Sequence, residues 1–103
     1  MSGPKAAPGV VEYTPPNIFR GFFHIDGSIY HFIAPTSITS HPFKASEATL
    51  TYVELPSGTH SYSGTFGDSV NIASNDGNTI SGKIDPPGAV DPPVSVQASL
   101  TWQ

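Results

Sequence analysis

The last ten residues of the chain alternate without a break. Val94, Val96, Ala98, Leu100 and Trp102 fall on one side, and Ser95, Gln97, Ser99, Thr101 and Gln103 on the other. A period of two is that of a β-strand with one face buried and one in water. An earlier stretch pairs two such runs. Ile18–Ile25 and Ser28–Ala34 flank Asp26-Gly27, a preferred two-residue type I′ loop because both central positions need positive φ. The loop sets the register: Ile25 faces Ser28, His24 faces Ile29, Phe23 faces Tyr30, Phe22 faces His31 and Gly21 faces Phe32. One face of this hairpin then carries Phe19, Phe23, Ile25, Tyr30 and Phe32, and is expected to meet the core. The other carries Ile18, Arg20, Phe22, His24, Ile29, His31 and Ile33, a mixed surface that is partly exposed or covered by a partner.

The rest of the chain reads as more strands between turn signals. Residues 1–9 are expected to be a flexible arm, with residues 10–103 a single domain. Val10–Tyr13, Ala48–Leu55, Thr59–Phe66, Ser69–Ala73 and Asn78–Ile84 are strand candidates, and Ser40–Glu47 is read as one helical turn capped by Ser40. Tyr62-Ser63-Gly64-Thr65-Phe66 resembles Ile80-Ser81-Gly82-Lys83-Ile84. The likeness predicts equivalent sheet positions with glycine at a bulge or close crossing. Asp-Pro-Pro occurs twice between residues 85 and 93 and predicts a stiff crossover rather than a tight hairpin. The expected fold is all-β, a small antiparallel β-sandwich or squat barrel of about seven or eight short strands.

Composition agrees. Eight Ile and seven Val stand against three Leu, a balance that suits pleated surfaces. There is no cysteine, so neither a disulfide nor a thiolate site exists. A core of this size leaves self-association as a source of added burial, and a homo-oligomer is expected. The net charge is -4, and the four basic residues (Lys5, Arg20, Lys44, Lys83) are scattered. Nucleic acid is therefore not an expected partner. No apolar run is long enough for a membrane span, and no apolar signal segment opens the chain. A cytoplasmic location, or export by a non-classical route, is the expectation.

No motif of a known catalytic class is present, which leans against an enzyme. His24 and His31 are diagonal neighbours on the mixed face of the hairpin. A zinc site normally needs three or more ligands, with His41 or His60 left to complete one, so no metal is expected there. Asp68, Asn71, Asn75, Asp76 and Asn78 are oxygen-rich, as calcium requires, but match no calcium loop and are also common turn formers. No cofactor is expected, and calcium is the one to test.

Many Ser, Thr, Asn, Tyr and His side chains with little charge point to a binding module, with carbohydrate as the ligand. Sugars need both rings to stack on and hydrogen-bonding groups. The candidate ligand-binding residues are Asp76 and Asn78 from a turn, with His24, Tyr30, His31 and Trp102 supplying rings. Two alternatives stand beside this lectin-like reading. One is an assembly protein using a sheet face as its interface. The other is a small barrel enzyme with His24 or His31 as acid or base.

Overall fold

The hairpin around Asp26-Gly27 forms in the register its loop imposes, from Ile25 opposite Ser28 to Ile18 opposite Pro35. Both turn residues have positive φ, 49° at Asp26 and 81° at Gly27. In the computed structural model, which describes residues 4–15, 17–36, 41–86 and 88–103, this hairpin is one of several that together close a barrel. The strands are β1 (Lys5–Thr14), β2 (Ile18–Ile25), β3 (Ser28–Pro35), β4 (Phe43–Tyr52), β5 (Thr59–Phe66), β6 (Ser69–Ser74), β7 (Thr79–Lys83) and β8 (Val94–Trp102). The chain thus takes the barrel alternative, closed by antiparallel strands.

The order around the barrel is β1-β2-β3-β8-β5-β6-β7-β4, with every neighbouring pair antiparallel. It consists of two Greek keys, 4-1-2-3 and 8-5-6-7, set side by side. The two keys meet along short seams. Phe32 pairs with Trp102 and Ile33 with Thr101 at one, and Thr49, Leu50 and Thr51 pair with β7 at the other. The crossover expected at 85–93 is the return of the second key, from β7 to β8.

Three strand boundaries shift by more than one residue from the sequence reading. β1 starts at Lys5 rather than Val10, so residues 5–9 of the expected arm are barrel wall paired with β4. Pro8 fits because its partner is Thr49 of β4, while pairing with β2 begins only at Gly9. A proline lacks a ladder donor and is accepted where one side of the strand is free. Residues 1–3 of the arm lie outside the described residues.

The helical turn read at Ser40–Glu47 is instead strand from Phe43 onward, and Ser40 lies outside the described residues. Ala45 pairs with Val11 and Ala48 with Gly9, so Ser46 and Glu47 together oppose Val10. This is a β-bulge, and it shifts the burial phase: Ala45 and Ala48 are both inside, three residues apart. Downstream, β4 ends at Tyr52, and Leu55 lies exposed in the connection to β5. The look-alike segments of β5 and β7 do hold equivalent places, one on each side of β6. A Cβ on Gly64 would collide with the carbonyl oxygen of Asn71, and one on Gly82 would lie 2.8 Å from the Cα of Ala48. Both glycines serve close approach.

The interior is filled by aromatic rings in chained contact. Tyr13 stacks on Phe43 with centroids 5.5 Å apart, Phe43 meets Phe66 at 5.0 Å, and Phe66 meets Phe19 at 4.9 Å. Phe19 meets Phe32 at 5.5 Å, and Phe32 meets Trp102 at 5.3 Å. Both keys contribute, since Phe66 and Trp102 come from the second and the others from the first. Such tilted and offset contacts add about 0.5–1.5 kcal/mol per pair beyond the area they bury.

Two buried polar atoms, the Tyr62 hydroxyl and Trp102 Nε1, have no hydrogen-bond partner among the described residues. Burial pushes the Tyr62 phenol from 10.0 up to about 12. Tyr62→Phe is therefore expected to raise stability by about 1 kcal/mol at neutral pH, because it removes an unsatisfied buried hydroxyl. A raised phenol pKa stabilises the fold below pH 10 and loses that contribution as the pH rises through about 12, since the unfolded chain gives up its proton first. The advantage of the Phe variant should accordingly widen between pH 8 and pH 11 in urea denaturation. An equal or smaller gap at pH 11 would contradict the assignment.

Candidate functional site

A barrel packed with rings leaves its outer wall to hold a site. A depression of about 450 Å³ lies there over β1, β2 and β3, with contributions from Lys44 of β4 and from Gln103. Its origin is Gly21. The alternation of β2 points Phe19, Gly21 and Phe23 inward, and Gly21 brings no side chain. The wall sinks there, because a Cβ on Gly21 would lie 2.5 Å from the Val10 carbonyl oxygen and 2.9 Å from the ring of Phe32. Gly9 of β1, opposite Phe23, is as tightly held, since a Cβ there would run into the Phe22 carbonyl.

Two rows of side chains cross the depression. In one, Val10 of β1, Phe22 of β2 and His31 of β3 are successive register partners. Phe22 is half-buried and makes ring contacts with both histidines, at 5.6 Å to His24 and 5.9 Å to His31. In the next row Lys44, Glu12, Arg20 and Ile33 follow one another from β4 to β3. Arg20 Nε donates to Glu12 Oε1 at 2.9 Å, a solvent-exposed pair that stabilises the fold by at most about 1 kcal/mol. The backbone N–H of Gln103 donates to the His31 carbonyl, which holds Gln103 at the rim.

The candidate residues divide three ways. His24 and His31 share the outer face, as their register requires, with Phe22 between them in contact. Tyr30 and Trp102 belong to the interior. Trp102 is 8% exposed and packs on Phe23 and Phe32, and Tyr30 packs partly buried against the core. Asp76 and Asn78 lie at the β6–β7 turn, across the barrel from the histidines.

There Asp76 organises the turn. It accepts from the Ser74 hydroxyl, from the Asn78 backbone N–H at 3.1 Å and from the Asn78 amide at 3.2 Å. His60 adds to this cluster, with Nε2 2.7 Å from the Ser57 carbonyl oxygen and Nδ1 3.1 Å from Asn75 Oδ1. Of the oxygen-rich stretch, Asp68 sits at the other end of β6 from Asn75, Asp76 and Asn78. Among the described residues, no three His, Asp or Glu side chains gather as a metal site would require. No helix among them is long and apolar enough to cross a membrane.

Comparison with family models, with curated proteins and with solved structures finds no match to this chain. The local chemistry of the depression is therefore what speaks to function. Val10, Glu12, Arg20, Phe22 and Lys44 were not among the sequence candidates. The available signal was Gly21, a glycine amid the strongest apolar strand of the chain, where a bend or close approach is the usual cause.

Replacing Gly21 with Ala should cost about 1–3 kcal/mol, the range for overpacking, since backbone as well as side-chain atoms stand in the way. Asp76→Ala should cost about 1 kcal/mol through lost turn hydrogen bonds. Urea denaturation of both variants checks the two values.

Proposed function

We propose that this chain is a non-enzymatic carbohydrate-binding module whose site is the depression over Gly21. The observation that carries the reading is the half-buried Phe22 ring, flanked by two imidazoles and bordered by Arg20, Glu12, Lys44 and Gln103. A sugar presents a C–H face that packs on such a ring and hydroxyls that take up the surrounding donors and acceptors. The volume falls in the range of small-molecule sites, roughly 300–1,000 Å³. His31 stays in the proposed site, and His24 stands beside it against the Phe22 ring. Trp102 backs it from inside through Phe32, Tyr30 packs on the core, and Asp76 and Asn78 hold a turn elsewhere.

A glycan array with labelled protein, run with and without calcium, tests the reading. Binding to a related set of sugars is expected, independent of calcium because Asp68 and the Asn75–Asn78 turn are at opposite ends of β6. Phe22→Ala should weaken that binding about tenfold or more while circular dichroism remains unchanged. A blank array, or full binding by the Ala variant, would overturn the proposal.

A second reading, assembly through the same face, rests on Ile29 and Ile33, which are 51% and 36% exposed and flank His31 along β3. A dimer joined there would place the same patch on both subunits. Light scattering should then show a dimer that Ile29→Lys with Ile33→Lys converts to monomer. A monomeric parent chain would remove this reading.

A further inference from the structure

We infer that the sugar taken by this depression is acidic, a uronic acid whose carboxylate is received by Arg20. The inference rests on the carbohydrate reading and names its ligand class. Arg20 and Lys44 are two of the four basic residues of a chain with net charge -4, and barrel closure brings them to one rim. They lie on either side of Glu12, its register partners on β2 and β4.

Glu12 engages only Nε of Arg20. The two Nη groups of Arg20 and the ammonium of Lys44 have no hydrogen-bond or ion-pair partner among the described residues. A guanidinium with its planar end free matches a carboxylate in a bidentate pair. Glu47, in the β4 bulge beside Val10, does not line the depression. Gln103, whose N–H donates to the His31 carbonyl, lines the β8 side of the depression. The two cations thus share one rim, with Glu12 between them.

Spacing agrees with chemistry. Phe22 and Arg20 are two residues apart on the outer face of one strand, about 7 Å. A pyranose lying on Phe22 therefore places the carboxylate on its C5 carbon within reach of Arg20. His31, beside Phe22 on the next strand, meets the opposite side of the sugar.

The test is calorimetric titration of the full chain with oligogalacturonate and with its methyl ester, which keeps every ring and hydroxyl and removes the charge. The acid form is expected to bind at least tenfold more tightly at low ionic strength, and the difference should shrink at high salt. Arg20→Gln should abolish the preference, bringing acid form and ester to one affinity. Lys44→Gln should lower acid binding less. Equal binding of acid and ester, or a preference that survives Arg20→Gln, overturns the inference. If neutral sugars alone bind, with Phe22 required, the carbohydrate reading stands and the acidic one falls. If neither oligosaccharide binds and the glycan array is blank, both fall.

Discussion

The chained ring contacts from Tyr13 through Phe43, Phe66, Phe19 and Phe32 to Trp102 are the constraint on which the rest of the molecule depends. The two Greek keys share only short ladders, two register pairs at one seam and three at the other. Backbone pairing at the seams is therefore a minor part of what joins them. Rings from both keys interleave on the barrel axis, and their burial supplies the cohesion that the seams lack. The same filling decides where a ligand can go. Small barrels either fill their interior with side chains or hold a ligand there. This one fills it, and recognition moves to the outside of the wall.

The wall follows from chemistry that is local in sequence where hairpins are tight. Asp26-Gly27 dictates its own register, and with it the burial of Phe19, Phe23, Ile25 and Phe32. The alternation of β8 was legible for the same reason, a period of two with no irregularity. Legibility ended where a strand breaks that period or accepts a residue that strands disfavour. The bulge at Ser46-Glu47 puts Ala45 and Ala48 on one face three residues apart, a spacing that belongs to helices when read alone. Pro8 and Gly9 look like the end of an arm, yet they are held by β4, a partner forty residues away. Neither feature can be read without knowing which strands meet.

The candidate site divides along the same line. His24 and His31 were placed together because one hairpin holds both. Trp102 follows the parity of its strand into the core, and Asp76 and Asn78 are occupied by the turn that makes them common there. Lys44 joins Glu12 and Arg20 only because β4 returns to lie beside β1. That is the long connection of a Greek key, and nothing in the local sequence of β4 announces it. The basic residues that look scattered along the chain are thus partly gathered in space.

A single strand performs both tasks by parity. On β2 the inward positions Phe19 and Phe23 are fixed by ring packing, and the outward positions Arg20 and Phe22 stand between them on the same backbone. Gly21 breaks the inward series, and the missing side chain lets the wall sink under the outward pair. The shape of the depression is then set from inside, by Val11 and Phe32 pressing against that glycine, while its chemistry is set from outside. A surface held in this way has little backbone freedom left to lose when a ligand arrives, which favours binding by reducing the entropy cost of ordering. Outward residues can change without disturbing the rings, whereas Gly21 belongs to both sides and cannot change without harm to both.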